Sequence, residues 1–574
     1  MAGILKTKAR FRAVARRLAA VAAATALAGS LVALADDFGK PGNHGDHDRG
    51  YHFQFVPGTL VVSRSVYKGT AGTVTPGELL PPGCVPVTFT LPQIGGGNSK
   101  SISVTCGDAI VDGTYPTVFQ NDSSDGSFSV SAPIFLDDIS TDGHWLQTLP
   151  VPSDQIVTSF ESKSELALNL STDAKSITFL GYVGGPGYVT GANLLDVSNS
   201  NSPNVIDPSN PDVGQYYRAV AEVDAFGHIQ ITDSSAYSGD NGRAVIKGDG
   251  YYYMAGNDNN GGLSKTELGN TQVGVNLVNT TGAEFLVPGQ PPPVPPAYQK
   301  IGDFEIGQLP AYAGQLDKPG KDDNFRGVTI YNNTLYVSKG SGSNGVNTIY
   351  QVGQPGVLPT PSNAPSGNLL NVPITIPSGL PTTLASSSTG VLYPFGMWFA
   401  NANTLYVCDE GDGTLETPSA TGNVAGPEAL QDGGLQKWSK VNGTWQMDYV
   451  LQTGLNIGVP YSVPNYPTAL NPATDGCRNL TGQVNRDGTA TIYVVTSTVS
   501  ASGDQGGDPN KLMRVTDILN ATTLPSSNNH WFDPWGDRLE QFQTIRAARF
   551  GEVLRGVAFA PTPEGDYSHA EDPR

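Results

Sequence analysis

Charge is scarce in this chain, and basic charge scarcer still: 15% of its 574 residues are Asp, Glu, Lys or Arg, with 33 basic against 52 acidic. The resulting net charge of -19 repels nucleic acid and anionic lipid, so neither is an expected partner. Beyond the first 35 residues no apolar run is long enough to span a bilayer. The common catalytic signatures are missing too: there is no H-E-x-x-H metal helix, no G-x-x-x-x-G-K-[ST] phosphate loop and no G-x-S-x-G nucleophile elbow. Seven histidines leave few general bases. The four cysteines include no C-x-x-C pair, which argues against zinc.

Turn formers are abundant instead. With 69 Gly, 43 Pro and 23 Tyr the composition is that of a turn-rich β protein. An internal repeat organises it. Four times an acid stands three positions before an arginine that opens a strand-like run: Asp240-Asn-Gly-Arg243, Asp323-Asn-Phe-Arg326, Asp475-Gly-Cys-Arg478 and Glu552-Val-Leu-Arg555. Two more units keep the strand pair without the arginine, at Glu165-Leu-Ala-Leu-Asn-Leu and Phe395-Gly-Met-Trp-Phe. The six markers are 69 to 83 residues apart, and repeats at such a period decide architecture. The last unit lacks its second strand, and Gly58-Thr-Leu-Val-Val-Ser-Arg64 at the other end supplies a match. Strands from both termini would thus close a ring and leave no sheet edge open.

Two-strand markers at this spacing, with room for two outer strands each, resemble a six-bladed β-propeller. Outer strands are read at Tyr217-Arg-Ala-Val-Ala-Glu-Val and His228-Ile-Gln-Ile-Thr in the second unit, and at Leu435-Gln-Lys-Trp-Ser and Thr444-Trp-Gln-Met-Asp-Tyr in the fifth. The runs Leu60-Val-Val-Ser-Arg, Pro133-Ile-Phe-Leu-Asp, Gly434-Leu-Gln-Lys-Trp-Ser and Leu554-Arg-Gly-Val-Ala-Phe-Ala-Pro resemble secreted bacterial propeller proteins of unassigned activity. That resemblance implies fold and export and carries no catalytic residues. The expected fold is therefore all-β, a single propeller over 57–562 with six blades, seven being the alternative. A β insertion at 67–126 interrupts the first blade, a Pro-rich surface loop lies at 288–300, and 563–574 is a C-terminal tail. One helix is expected around Asp537 to Leu554, where Leu539, Phe542, Ile545 and Phe550 recur.

Residues 1–35 read as a signal peptide: Lys6, Lys8, Arg10, Arg12, Arg16 and Arg17, an apolar run from Leu18, and a small-residue site at Ala33-Leu-Ala35. Its removal would take the net charge from -19 to -25, and the expected location is secreted or periplasmic. Residues 36–56 form a polar, flexible segment whose His44, His47 and His52 are of metal-binding type. Export favours disulfides. Cys408 ends the second strand of one unit and Cys477 immediately precedes the arginine of the next, so these two are expected to be bonded, with Cys84 and Cys106 closing the insertion.

The first strand of a propeller blade lines the channel, so Arg243, Arg326, Arg478 and Arg555 would surround one mouth, with Glu165 and Phe395 in the remaining sectors. Guanidinium groups gathered there could hold a carboxylate, phosphate or sulfated sugar. The competing reading is that each arginine is neutralised by its preceding acid or a neighbouring blade. Asp409, Glu410 and Asp412 offer hard oxygen ligands suited to calcium, although the spacing is not that of the twelve-residue calcium loop. The sequence thus points to a binding or surface-interaction module for an anionic glycan, small molecule or surface protein. Its alternatives are a hydrolase or lyase using Glu165, Asp240, Asp323, Asp475, Glu552 and a divalent metal, and a structural cell-surface scaffold.

Overall fold

The computed structural model describes residues 53–565, apart from breaks of which the longest are 116–130, 184–217, 257–282, 290–302 and 306–323; shorter ones fall between 68 and 114, at 235–241 and at 341–344, 416–421, 426–432, 501–505 and 525–531. The leader, the histidine group at 44–52, Cys84, Cys106, Asp240, Asp323 and most of the Pro-rich loop lie outside the described residues.

Six antiparallel sheets form the blades. Blade 1 is built from both ends of the chain, in the order Glu552–Phe559, Leu60–Val66, Ile134–Ile139, Trp145–Pro150. The closure read from the unfinished last unit is thereby realised, with Leu60 opposite Phe559 and Val62 opposite Val557. Blade 3 begins with Gly242–Gly248 and Tyr251–Gly256, blade 4 with Phe325–Tyr331 and Thr334–Lys339, blade 5 with Pro394–Asn401 and Thr404–Asp409, and blade 6 with Ala473–Val484 and Thr489–Val499. The two remaining sheets have two strands each and lie in the insertion, so among the described residues none forms a seventh blade. The outer strands anticipated in blades 2 and 5 are present at Arg218–Asp224, Ile229–Ser234, Gly434–Val441 and Thr444–Leu451.

Blade 2 departs from the pattern. Its inner edge is broken into Ile156–Ser159 and Asn169–Leu170, which pair with opposite ends of Ser176–Val183, and Leu166 between them is turned to φ 69. Glu165 stands in that irregular stretch rather than at the head of a regular strand.

Several hairpins carry the turn residues their twist demands. Asp249-Gly250, Asn332-Asn333 and Asn442-Gly443 all have positive φ at both central positions, as mirror-image two-residue turns require.

The core lies in the seams. Each pair of adjacent blades encloses its own apolar cluster, for example Leu60, Val62, Tyr493, Val495 and Val557 between blades 6 and 1. Val61, facing the opposite way, joins Phe179 and Ile177 between blades 1 and 2. Strand alternation thus serves two seams at once, which is why inner strands read as continuous apolar runs.

Two expectations need correction. The helix around 537–554 is absent; Gln543–Ala547 is instead the outer strand of blade 6, paired with Lys511–Arg514. Apolar residues three apart suit either state in so short a segment, and pairing to a waiting strand edge decided it. The end of the N-terminal segment is also packed: Phe55 is 1% exposed and its N–H donates to Ala225 O at 2.9 Å.

In the insertion, Val87–Leu91 pairs with Lys100–Val104 and Leu79–Leu80 with Gly107–Asp108. Tyr115 anchors it. Its hydroxyl donates to Gly507 O at 2.9 Å, and its ring lies among Tyr67, Phe160, Tyr466 and Phe550, from blades 1, 2 and 6.

Candidate functional site

The marker residues occupy equivalent places, and the position after each explains why. A Cβ on Gly396 would stand 2.6 Å from Arg478 O, and one on Gly556 would overlap Leu166 O; Gly327 likewise abuts Phe395 O. In blades 1, 4 and 5 the inner strands approach so closely here that a Cβ would meet backbone of the next blade. Blade 6 has Asn479 at this position, which accepts from Val557 N at 2.6 Å and reaches Leu168 O at 3.5 Å.

All six markers are buried, between 2% and 6% exposed. Arg243 donates to Phe325 O at 2.8 Å and to the Asn324 side chain, both at the start of blade 4. Arg326 lies over the Phe395 ring, 5.6 Å from its centroid, and its Nη2 is 3.4 Å from Glu410 Oε1 in blade 5. Arg478 of blade 6 meets the other oxygen of the same carboxylate, Nε to Oε2 at 3.1 Å. Arg555 donates to Phe160 O of blade 2 and to Ser65 Oγ. Every marker arginine thus reaches a neighbouring blade. Glu165 accepts from Tyr182 OH at 2.7 Å and Ser162 Oγ at 3.0 Å.

Of the acids three positions earlier, Asp475 and Glu552 fall among the described residues. Glu552 pairs with Arg64 at 2.9 Å, within a group where Arg64 and Arg546 share Asp137. Asp475 accepts the Gly413 N–H at 3.0 Å.

The three residues considered for calcium turn in different directions. Asp409 accepts from Tyr393 N and Gly411 N, each at 3.0 Å, and from Gln436 Nε2 at 2.8 Å. Complete burial pushes its carboxyl up to about 6, although those N–H donors pull it back. Glu410 serves the two arginines, and Asp412 accepts from Thr414 N and Oγ1 at 2.8 and 2.6 Å. Among the described residues no three His, Cys, Asp or Glu side chains gather as a metal site would need.

Cys408 and Cys477 are disulfide-bonded, Cα atoms 5.1 Å apart, tying blade 5 to blade 6 as the repeat foretold. Among the described residues no helix is long and apolar enough to cross a membrane.

Sequence reading missed an aromatic surface beside the seam of blades 6 and 1. Asp533 builds a tight turn, its Oδ1 accepting from Trp535 N at 3.0 Å and Asp537 N at 2.8 Å. That turn lays Trp535 over the Arg514 guanidinium, 4.0 Å from the ring centroid, while Asp537 holds Arg514 at 2.5 Å. Arg514 also touches Thr141 O in the turn of blade 1 that precedes Trp145. Trp535, Phe532 and Trp145 are 37%, 58% and 57% exposed. The only signal in the sequence was the Asp-Pro-Trp-Gly-Asp run itself.

No protein-family model and no curated protein matches the chain. Solved structures match at very low identity. One chain from the structure of a Saccharomyces cerevisiae Dbp5 variant bound to Nup159, a Gle1 variant, IP6 and ADP gives 7% identity and a TM-score of 0.27 over 89% of this chain and 97% of that one. The parainfluenza virus 5 hemagglutinin-neuraminidase ectodomain gives 9% and 0.32 over 69% and 76%. The same viral protein with the ligand DANA gives 10% and 0.28 over 86% and 98%. Likeness of this degree carries no argument about what the chain does.

Proposed function

We propose that the chain is an exported binding or surface-interaction propeller, that its arginine ring holds blades together, and that its contact surface for a glycan is the aromatic face carrying Trp535. The observation behind this reading is the Arg514–Trp535 stack. A large exposed ring is costly to leave in water, and here the indole is stacked on a cation while 37% of the residue stays exposed. A flat, pre-ordered indole suits the C–H face of a sugar, and the neighbouring Asp533 and Asp537 carboxylates can accept sugar hydroxyls. The contacts of the marker arginines with neighbouring blades support the part of the reading in which they hold the ring together.

Affinity electrophoresis of the full chain through gels containing neutral or anionic polysaccharides tests it. Retardation by at least one polysaccharide that Trp535→Ala abolishes is expected. Equal mobility of both proteins in every gel would remove the proposal.

A further inference from the structure

The seam between blades 5 and 6 contains a buried group of a lysine, an aspartate and two tyrosines. Lys437, in the third strand of blade 5, has Tyr406 and Tyr449 as its cross-strand neighbours, so all three side chains leave one face of the sheet. Asp517, from the third strand of blade 6, stands opposite. Lys437 Nζ lies 2.7 Å from Asp517 Oδ2, and both side chains are 0% exposed. Each carboxylate oxygen also accepts a phenol: Tyr449 OH to Oδ1 at 2.7 Å, Tyr406 OH to Oδ2 at 2.5 Å. The amine is oriented by Ile518 O at 2.6 Å and Tyr449 OH at 2.9 Å.

The backbone of Glu540 adjoins the group. Its N–H donates to Thr516 O at 2.7 Å, which sets it beside Asp517. It is 8% exposed, held at φ 60, and its Oε1 has no hydrogen-bond partner among the described residues. Burial first, then the negative charge of Asp517, push its carboxyl up to about 7, with Lys437 acting the other way. A carboxyl so placed can hold and exchange a proton near neutrality.

An amine pressed against a carboxyl in a dry site is arranged for condensation as well as for ion pairing, because orientation is already supplied and departing water is not replaced. We propose that Lys437 and Asp517 condense spontaneously to an intramolecular isopeptide bond, with Glu540 as proton relay. Glu540 first carries one proton from Nζ to the carboxylate, which frees the Nζ lone pair. The Nζ lone pair then attacks Cγ, forming the C–N bond. A tyrosine hydroxyl stabilises the oxygen that becomes the amide carbonyl. The other C–O bond breaks, and that oxygen leaves as water with two of the three ammonium protons, transferred through Glu540; the amide keeps the third. Nothing is oxidised or reduced. The bond would add a second covalent tie to the seam that Cys408 and Cys477 already cross.

Intact mass spectrometry of the purified full chain, reduced and denatured, followed by tryptic mapping, tests this. The expected result is a mass one water below that of the same polypeptide sequence, no cleavage after Lys437, and a fragment joining the Lys437 and Asp517 peptides. Lys437→Arg should carry the full mass, a readout that does not require the variant to fold. Glu540→Gln should condense about a hundredfold more slowly, the ordinary scale of lost proton transfer. Full mass in the wild type with free cleavage after Lys437, or a water loss that maps elsewhere, overturns the proposal. Condensation of Glu540→Gln at the wild-type rate would overturn the relay.

Discussion

The α-carbon of Gly396 faces the carbonyl oxygen of Arg478 so closely that a Cβ would stand 2.6 Å from it. Two inner strands of neighbouring blades meet at that point, and the obstructing atom is backbone, which cannot swing aside. Gly396→Ala should therefore cost about 1–3 kcal/mol, the usual penalty of overpacking. Urea denaturation of the two proteins measures it, and a midpoint unchanged from wild type would contradict the close approach.

Glu410 is the shared partner of Arg326 and Arg478, and all three are buried. Removing the carboxylate strands two cations in a poorly solvated place. Glu410→Ala is expected to lose about 3–5 kcal/mol of stability, the scale for breaking a buried ion pair. A loss no larger than that of an exposed pair, below about 1 kcal/mol, would show the arginines to be satisfied elsewhere.

The disulfide closes a loop of 69 residues in sequence separation. Loop-closure entropy for that length corresponds to about 4 kcal/mol. Cys408→Ser combined with Cys477→Ser should lower stability by that order, and the loss should be matched by wild type in reductant. Equal unfolding midpoints with and without reductant would be the contrary result.

Asp233 has its carboxyl pushed from 3.8 to about 6 by burial in the outer strand of blade 2. Below the lower value both folded and unfolded states hold the proton. As pH rises the unfolded chain releases it first, so this group's stabilising contribution is lost between about 4 and about 6. Asp233→Asn should track wild type at the acid end and gain on it across that window. Stability profiles that stay parallel from pH 4 to 6 would refute the assignment.

Much of the ring was legible because it rests on periodic patterns. Strand pairs recurring at one interval, and a final unit such as Arg555-Gly-Val-Ala-Phe without its partner, point to Leu60–Val66 as the missing strand. Cys408 and Cys477 could be joined on paper because the end of one unit's second strand and the start of the next unit's first strand are neighbours in such a ring. The strand at 543–547 was not legible, since five residues of mixed polarity take their conformation from the edge they meet. The partner of Glu552 was not legible for a related reason: three residues apart along an inner strand is not face to face, and Glu552 lies opposite Val66 with Arg64 within reach.

Strand count, closure and the covalent tie between blades 5 and 6 follow from residue order alone, because alternation and period act along the chain. Where each charge is satisfied does not. Arg243, Arg326, Arg478 and Arg555 look alike in the sequence, yet Arg243 and Arg555 reach backbone carbonyls of a neighbouring blade while Arg326 and Arg478 meet at the one carboxylate of Glu410, and Lys437 meets Asp517 only across a seam. Such pairings depend on distances between distant segments and on the exclusion of water between them, which blade packing creates and no local pattern encodes.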